Sequence, residues 1–232
     1  MPAQPLAIVS LSGGLDSCVA AAVARAEGFE LALLHADYGQ LTEARERQAF
    51  EAIADFYQVP PARRLVVPFA GLRAIGGSAL TDAAIPLPEG DLERPGVPVS
   101  YVPFRNAHLL ATAISWAEVL GVSQIYVGFV EEDSSGYPDC REVFLEAFQL
   151  AANLGTRPET RLSLKAPLVH LNKAEIVRKG VELGAPLHLT WSCYQGEALA
   201  CGHCDSCLLR LRGFQQAGLH DPIPYAIPAL PL

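Results

Sequence analysis

Leu11-Ser12-Gly13-Gly14-Leu15-Asp16-Ser17 follows directly on an apolar run at residues 6–9. A strand, a glycine pair and a helix start, in that order, make a phosphate cradle. Lacking Cβ atoms, Gly13 and Gly14 let backbone N–H groups approach an anion closely. Residues 16–26 are rich in Ala and Val and read as a helix. Its positive end points at the same anion. Ser12 and Ser17 supply hydroxyl donors, Leu11 and Leu15 frame the turn, and Asp16 is placed to hold a divalent cation such as Mg²⁺ between phosphate oxygens. The spacing matches neither G-x-x-x-x-G-K-[ST] nor G-x-G-x-x-G, the two commoner nucleotide loops.

Outward from this loop, apolar strand patterns alternate with amphipathic helix patterns. Residues 6–11, 30–36, 64–67 and 124–130 read as strands, the first as one buried on both faces. Residues 42–57, 105–120 and 139–154 read as helices. A further helix opens at Asn172, where Asn172 and Glu175 have the spacing of a capping box. Strand–helix alternation predicts an α/β fold, a parallel sheet with helices on both faces. Ligands then sit at the carboxyl ends of the strands, where the loop falls. Residues 68–103 are rich in Pro and Gly and carry no long period; they read either as a substrate lid or as a surface excursion.

Other polar clusters reach the same rim. His35 to Gln40 closes the second strand, and His35 is placed to stack on or bond a nucleoside. Arg105 stands at a helix N-terminus, where a cation is unhelpful to the dipole and an anionic partner is expected. Residues 128–141 offer carboxylates, hydroxyls, an aromatic face and a cation, a set that suits a flat polar heterocycle. Asp133 or Asp139 would accept from ring N–H groups, Tyr137 would stack, and Arg141 adds charge. Lys173, with Lys165, is a candidate for neutralising outer phosphates.

Cys193, Cys201, Cys204 and Cys207 are spaced C-x7-C-x2-C-x2-C. Four thiolates this close can close a tetrahedral zinc site with no open position, hence a structural one. An iron–sulfur cluster is the rival reading. His203 is a spare ligand; Cys18 reads as core and Cys140 as structural or substrate-lining.

The chain has 232 residues, half of them hydrophobic, and a formal net charge of −8. That charge argues against stable binding to nucleic acid. No stretch approaches the roughly 18 apolar residues of a membrane span, and the first residues lack a basic n-region. A cytoplasmic protein is expected, whose reduced cysteines serve metal or chemistry before disulfides.

The loop at Ser12 to Ser17 resembles that of the PP-loop ATP pyrophosphatases, which cleave ATP between the α- and β-phosphates. Ser-Gly-Tyr-Pro-Asp-Cys-Arg at 135–141, Trp-Ser-Cys-Tyr at 191–194 and the cysteine cluster narrow the resemblance to the QueC family of queuosine biosynthesis. It also runs through His35 to Gln40, Val102 to Asn106 and Lys173. Glu131 and Glu132 are more acidic than the family leads one to expect. The resemblance implies an adenine-nucleotide α-hydrolase-like domain over residues 1–185 and a zinc-binding region and tail over 186–232. It implies a ligase that turns 7-carboxy-7-deazaguanine and ammonia into the nitrile, through acyl and amide adenylates, with two ATP consumed. Asp16, Ser17, Lys173 and Arg105 would serve catalysis. With the apolar tail (Ile223, Ile227, Leu230, Leu232) it implies a homodimer. A tRNA-thiolating enzyme of the same superfamily is the alternative; it calls for a basic surface and a persulfide cysteine. A zinc-bearing nucleotide-binding module without turnover is a third reading.

Overall fold

A computed structural model describes residues 4–131 and 136–226. Its centre is β1 (Leu6–Ser10), which runs into the Gly13–Gly14 turn and then α1 (Leu15–Ala26). There follow β2 (Glu30–Asp37), α2 (Glu43–Phe56), β3 (Arg64–Pro68), α3 (Ala70–Ile75) and α4 (Arg105–Leu120). The second half contributes β4 (Gln124–Tyr126), α5 (Glu142–Gly155), β5 (Ser163–Lys165), α6 (Lys173–Glu182) and α7 (Asp205–Ala217). The strands form one sheet in the order β3-β2-β1-β4-β5, and every pairing is parallel.

The continuous apolar strands are explained by cover on both faces. Side chains alternate across a strand. Ala7, Val9, Leu31 and Leu33 therefore face Phe50 and Ile53 of α2 and Cys18 and Ala21 of α1. Ile8, Ala32 and Leu34 face the opposite side, against Leu110 and Ile114 of α4 and Leu145 of α5. A third cluster joins Val19 of α1 to Ile176 of α6 and Phe214 of α7. This cluster also holds Leu187, so packing runs across the boundary expected at residues 185–186.

Strand order reverses direction at β1, between β2 on one side and β4 on the other. A crevice opens at such a point beyond the strand ends, and the glycine turn lies in it. The chain crosses back there at Gly128, immediately after β4. A Cβ on Gly128 would stand 2.6 Å from the Ser17 nitrogen. Only glycine permits that approach.

Several elements differ from the sequence reading. β4 ends at Tyr126 rather than near residue 130, because the chain turns over the start of α1. β5 was not expected; it is a three-residue edge strand with one buried side chain, too short for a period. α5 begins at Glu142 because a 3-10 turn occupies Pro138–Cys140. α3 lies inside the Pro/Gly-rich stretch, and α7 lies in the region read as a metal-binding tail.

Candidate active site

The glycine turn is held from three sides. Leu11 donates its N–H to the Leu34 carbonyl at 2.8 Å. His35 Nδ1 stands 2.9 Å from the Leu11 carbonyl. The Trp191 N–H donates to the Gly13 carbonyl at 2.8 Å. Gly13 has φ +88, and a Cβ there would lie 2.7 Å from the Glu46 carbonyl oxygen of α2. Within the turn, Ser12 Oγ accepts from the Gly14 N–H at 3.2 Å and lies 3.1 Å from Ser17 Oγ. Ser17 Oγ donates to the Gly14 carbonyl at 3.0 Å. Gly14 is the N-cap of α1 and offers no side-chain cap. The first-turn N–H groups of α1 are thus left for an external acceptor, which is how a helix start binds phosphate.

Lys173 and Asp16 meet beside the turn. The capping box at Asn172 and Glu175 starts α6 and so sets the position of Lys173. Its Nζ lies 2.9 Å from both oxygens of Asp16. The carboxylate expected to hold a cation already faces one, and the ammonium expected near phosphate is at hand. Lys165 is exposed at the end of β5, away from the cavity lining.

The opposite wall is aromatic and cationic. Phe104 takes left-handed geometry (φ 58) and turns the chain into α4, which brings Arg105 inward. The Arg105 guanidinium donates to Tyr38 Oη at 2.8 Å and lies 5.0 Å from that ring's centroid. Tyr137 Oη donates to Ser100 Oγ at 3.0 Å, lies 3.3 Å from Tyr194 Oη, and its ring packs on Tyr101. Burial pushes both Tyr38 and Tyr137 up, so both remain phenols at neutral pH. The Pro/Gly-rich stretch is therefore part of the wall: Leu80 lines the cavity and packs with Tyr38, Leu72 and Val102.

Other expected site residues take different positions. His35 is 1% exposed beneath the turn, against Phe50, with Nε2 3.2 Å from Asp37. It supports the loop from below rather than facing a nucleoside. Asp139 is buried and outside the cavity lining. Its Oδ2 accepts the Asn106 N–H at 2.9 Å and its Oδ1 the Asn106 amide at 3.1 Å. Both oxygens are committed to the start of α4. Arg141 is exposed and donates to the Pro138 carbonyl. Asp133 lies outside the described residues. Cys140 does line the cavity; burial pushes its thiol up to about 12. Tyr38, Glu46, Asn106, Ser192, Tyr194 and Arg210 also line it. Sequence reading assigned none of these six a role of its own, because they come from four separate segments with no shared spacing.

The four cysteine sulfurs lie within 4.8 Å of one another, all buried. Cys193 Sγ accepts N–H bonds from Gln195, Gly196 and Cys201 at 3.4, 3.1 and 3.2 Å. Its pKa is lowered, first by the facing Cys204 and Cys207 thiols and also by the Cys201 N–H. Cys204 is the N-cap of α7 and Cys207 stands in its first turn, and the facing Cys193 pushes both of these thiols up. Such a set can hold a metal ion. One turn on, Arg210 binds Asp221 at 2.7 and 2.9 Å and Thr190 at 2.7 Å, and reaches the cavity wall. Tyr225 Oη donates to the same Asp221. The cysteine cluster and the cavity thus share α7.

A family model described as "Queuosine biosynthesis protein QueC" matches residues 6–218. The chain belongs to the QueC family. This QueC chain is 55% identical over 219 residues to the 7-cyano-7-deazaguanine synthase of Chlorobium phaeobacteroides strain DSM 266, covering 94% of this chain and 96% of that protein. It is 53% identical over 221 residues to the enzyme of the same name from Chloroherpeton thalassium, with 95% and 97% covered. Among solved structures, a 4-thiouridine synthetase–RNA complex with bound ATP overlays with a TM-score of 0.48 at 18% identity, covering 78% of this chain and 41% of that one. NMN synthetase from Francisella tularensis gives 0.46 at 17% identity, covering 81% and 65%. No helix among the described residues of this QueC protein is long and apolar enough to cross a membrane.

Proposed function

We propose that this QueC protein is an ATP-dependent ligase that converts 7-carboxy-7-deazaguanine and ammonia into 7-cyano-7-deazaguanine and releases AMP. The observation that carries this is the near full-length identity to relatives so named, joined to a phosphate turn at the sheet's switch point. A carboxylate is a poor electrophile; transfer of AMP to it provides a leaving group. The substrate carboxylate attacks the α-phosphorus and pyrophosphate departs. Ammonia displaces AMP to give the amide. The amide oxygen is adenylated by a second ATP, and loss of AMP leaves the nitrile.

The residues divide this work by position. The Gly14 turn, the start of α1 and the hydroxyls of Ser12 and Ser17 bind pyrophosphate. Lys173 offsets charge on the outer phosphates and Arg105 faces the substrate carboxylate. Tyr137 packs on the flat base, and Asp139 orients Asn106. Asp16 would hold Mg²⁺ when the nucleotide is bound, and the ion would add to the charge neutralisation. Catalysis here is positioning and fixed electrostatics. Four sulfurs with no other ligand suit structural zinc. The net charge of −8 favours small-molecule substrates over tRNA. The protein would work in the cytoplasm as a homodimer. Val119, Val143, Leu150 and Leu154, exposed on α4 and α5, supply apolar surface for a second copy.

The test is one incubation with ATP, Mg²⁺, ammonium and 7-carboxy-7-deazaguanine, followed by mass spectrometry. The expected result is nitrile with two AMP per base. AMP without nitrile moves the substrate elsewhere; no AMP overturns the reading.

A further inference from the structure

Ammonia is ammonium at neutral pH and has no lone pair until it loses a proton. A cavity that takes ammonium itself must therefore hold a group that accepts one. Two carboxylates line it among the described residues, Asp16 and Glu46. Both oxygens of Asp16 face Lys173 at 2.9 Å. Tyr38, Tyr137 and Cys140 also line the cavity, and burial keeps all three protonated. His35 is buried beneath the loop, outside the lining.

Glu46 projects from α2 and is held as an acceptor. Thr42 Oγ1 donates to its Oε1 at 2.9 Å, and Gln40 Nε2 donates to its Oε2 at 3.1 Å. The Gln40 amide cannot present its other side, because its Oε1 accepts the Tyr38 N–H at 2.9 Å. Each carboxylate oxygen thus accepts one bond and keeps a lone pair for a third donor. Gln40 and Thr42 are themselves buried, so the end of the His35 to Gln40 motif serves to orient one acid. Arg105, His35 and Tyr38 are the charged and titratable groups that face it. Burial raises the Glu46 pKa, against the donors Thr42 and Gln40 and the nearby His35 and Arg105, which lower it. A raised pKa makes a stronger base.

We propose that Glu46 is the catalytic base that binds ammonium in this cavity and takes its proton. The inference rests on the ligase reading above. Ammonium gives one proton to the Glu46 carboxylate. The freed lone pair forms the C–N bond to the adenylated carboxyl carbon. The C–O bond to AMP breaks, AMP leaves with the electron pair, and its phosphate takes the surplus N–H proton.

The test compares wild type and Glu46→Gln in three reactions. Exchange of pyrophosphate into ATP with 7-carboxy-7-deazaguanine, without ammonium, should stay within about twofold, since no base acts there. Amide formation from ammonium should fall by about 100-fold or more, the usual range for a lost general base. Hydroxylamine is neutral at pH 7 and needs no deprotonation before attack. Hydroxamate formation by the variant should stay near wild type. Equal losses in exchange and with both amines would make Glu46 a structural support of the Gln40–Thr42 turn and overturn the proposal, as would an unchanged ammonium rate. If the variant does not fold, wild type decides: kcat/KM for total ammonium should level off between about pH 7 and 9, as for an enzyme that takes ammonium itself, whereas a tenfold rise per pH unit up to about pH 9 would show that free ammonia reacts without a base and would overturn the proposal. A folded wild type that exchanges pyrophosphate but forms neither product would sink the ligase reading itself, and the role of Glu46 with it.

Discussion

The Trp191 N–H donates to the Gly13 carbonyl at 2.8 Å, so the segment leading into the cysteine cluster is tied to the phosphate turn. The Trp191 ring is buried, its Nε1 donates to the Gly196 carbonyl at 3.0 Å, and the Arg45 guanidinium lies 4.2 Å from its centroid. Gly196 N–H in turn donates to Cys193 Sγ. A metal at the cysteines and an ATP at the turn would therefore share a short chain of contacts.

Metal removal should act on both. Binding energy at such sites is folding energy. A chelated protein, or Cys207→Ser, should melt earlier and bind ATP at least ~10-fold more weakly, a loss of about 1.4 kcal/mol. Calorimetric titration with ATP checks this; unchanged affinity in metal-free protein would show that the tie to Gly13 carries no coupling.

Lys173→Met separates catalysis from stability. Its partner Asp16 stays partly exposed in the first turn of α1, where the dipole favours a carboxylate. Stability should change little, while AMP release should drop by about 100-fold or more as transition-state charge loses a fixed cation. A thermal scan beside a turnover assay reads both.

Asp139→Ala removes both acceptors for Asn106 at the start of α4. Leaving a buried N–H and amide without partners costs ~2 kcal/mol. At this size that lowers Tm by roughly 4–8 °C. The Michaelis constant for the base should rise more than that for ATP, because Arg105 precedes Asn106 in the same helix turn.

Gly128→Ala would place a Cβ 2.6 Å from the Ser17 nitrogen. The obstruction is backbone, so the start of α1 must shift. Displacement on that scale costs about 100-fold in rate. Pyrophosphate exchange should fall accordingly, and a variant with full exchange would show that the turn can move without loss.

Glu46 also leaves a stability signature. A carboxyl whose folded pKa is raised favours the folded state fully below its unfolded pKa of about 4.3. That contribution is lost as pH rises through the folded value. Glu46→Gln does not titrate. Its melting temperature should therefore gain on wild type as pH rises from about 4 to 7. A constant difference across that range would mean that burial does not raise this pKa.

How much of this was legible beforehand follows from the range of each signal. The strand–turn–helix at Leu11 to Ser17 and the four-cysteine spacing are local patterns, with their chemistry carried by neighbours in the chain. The parallel α/β class follows from alternating periods, each within one element. β5 escaped because three residues cannot display a period, and α7 because metal spacing masked a helical one.

Roles at the rim were another matter. His35 and Asp139 have the right chemistry in the right segments, yet the fold turns one beneath the phosphate turn and commits the other to Asn106. Glu46 carries no motif, and its importance appears only once α2 packs on Gly13 and Gln40 and Thr42 turn their donors toward it. The sequence by itself determined the glycine turn, the cysteine cluster and the layered sheet, since these depend on residue type and short spacing. The tertiary structure alone decided which polar groups reach the cavity and which are bound elsewhere. That choice depends on burial and partners contributed by segments far apart in the chain, such as Trp191 on Gly13 and Lys173 on Asp16.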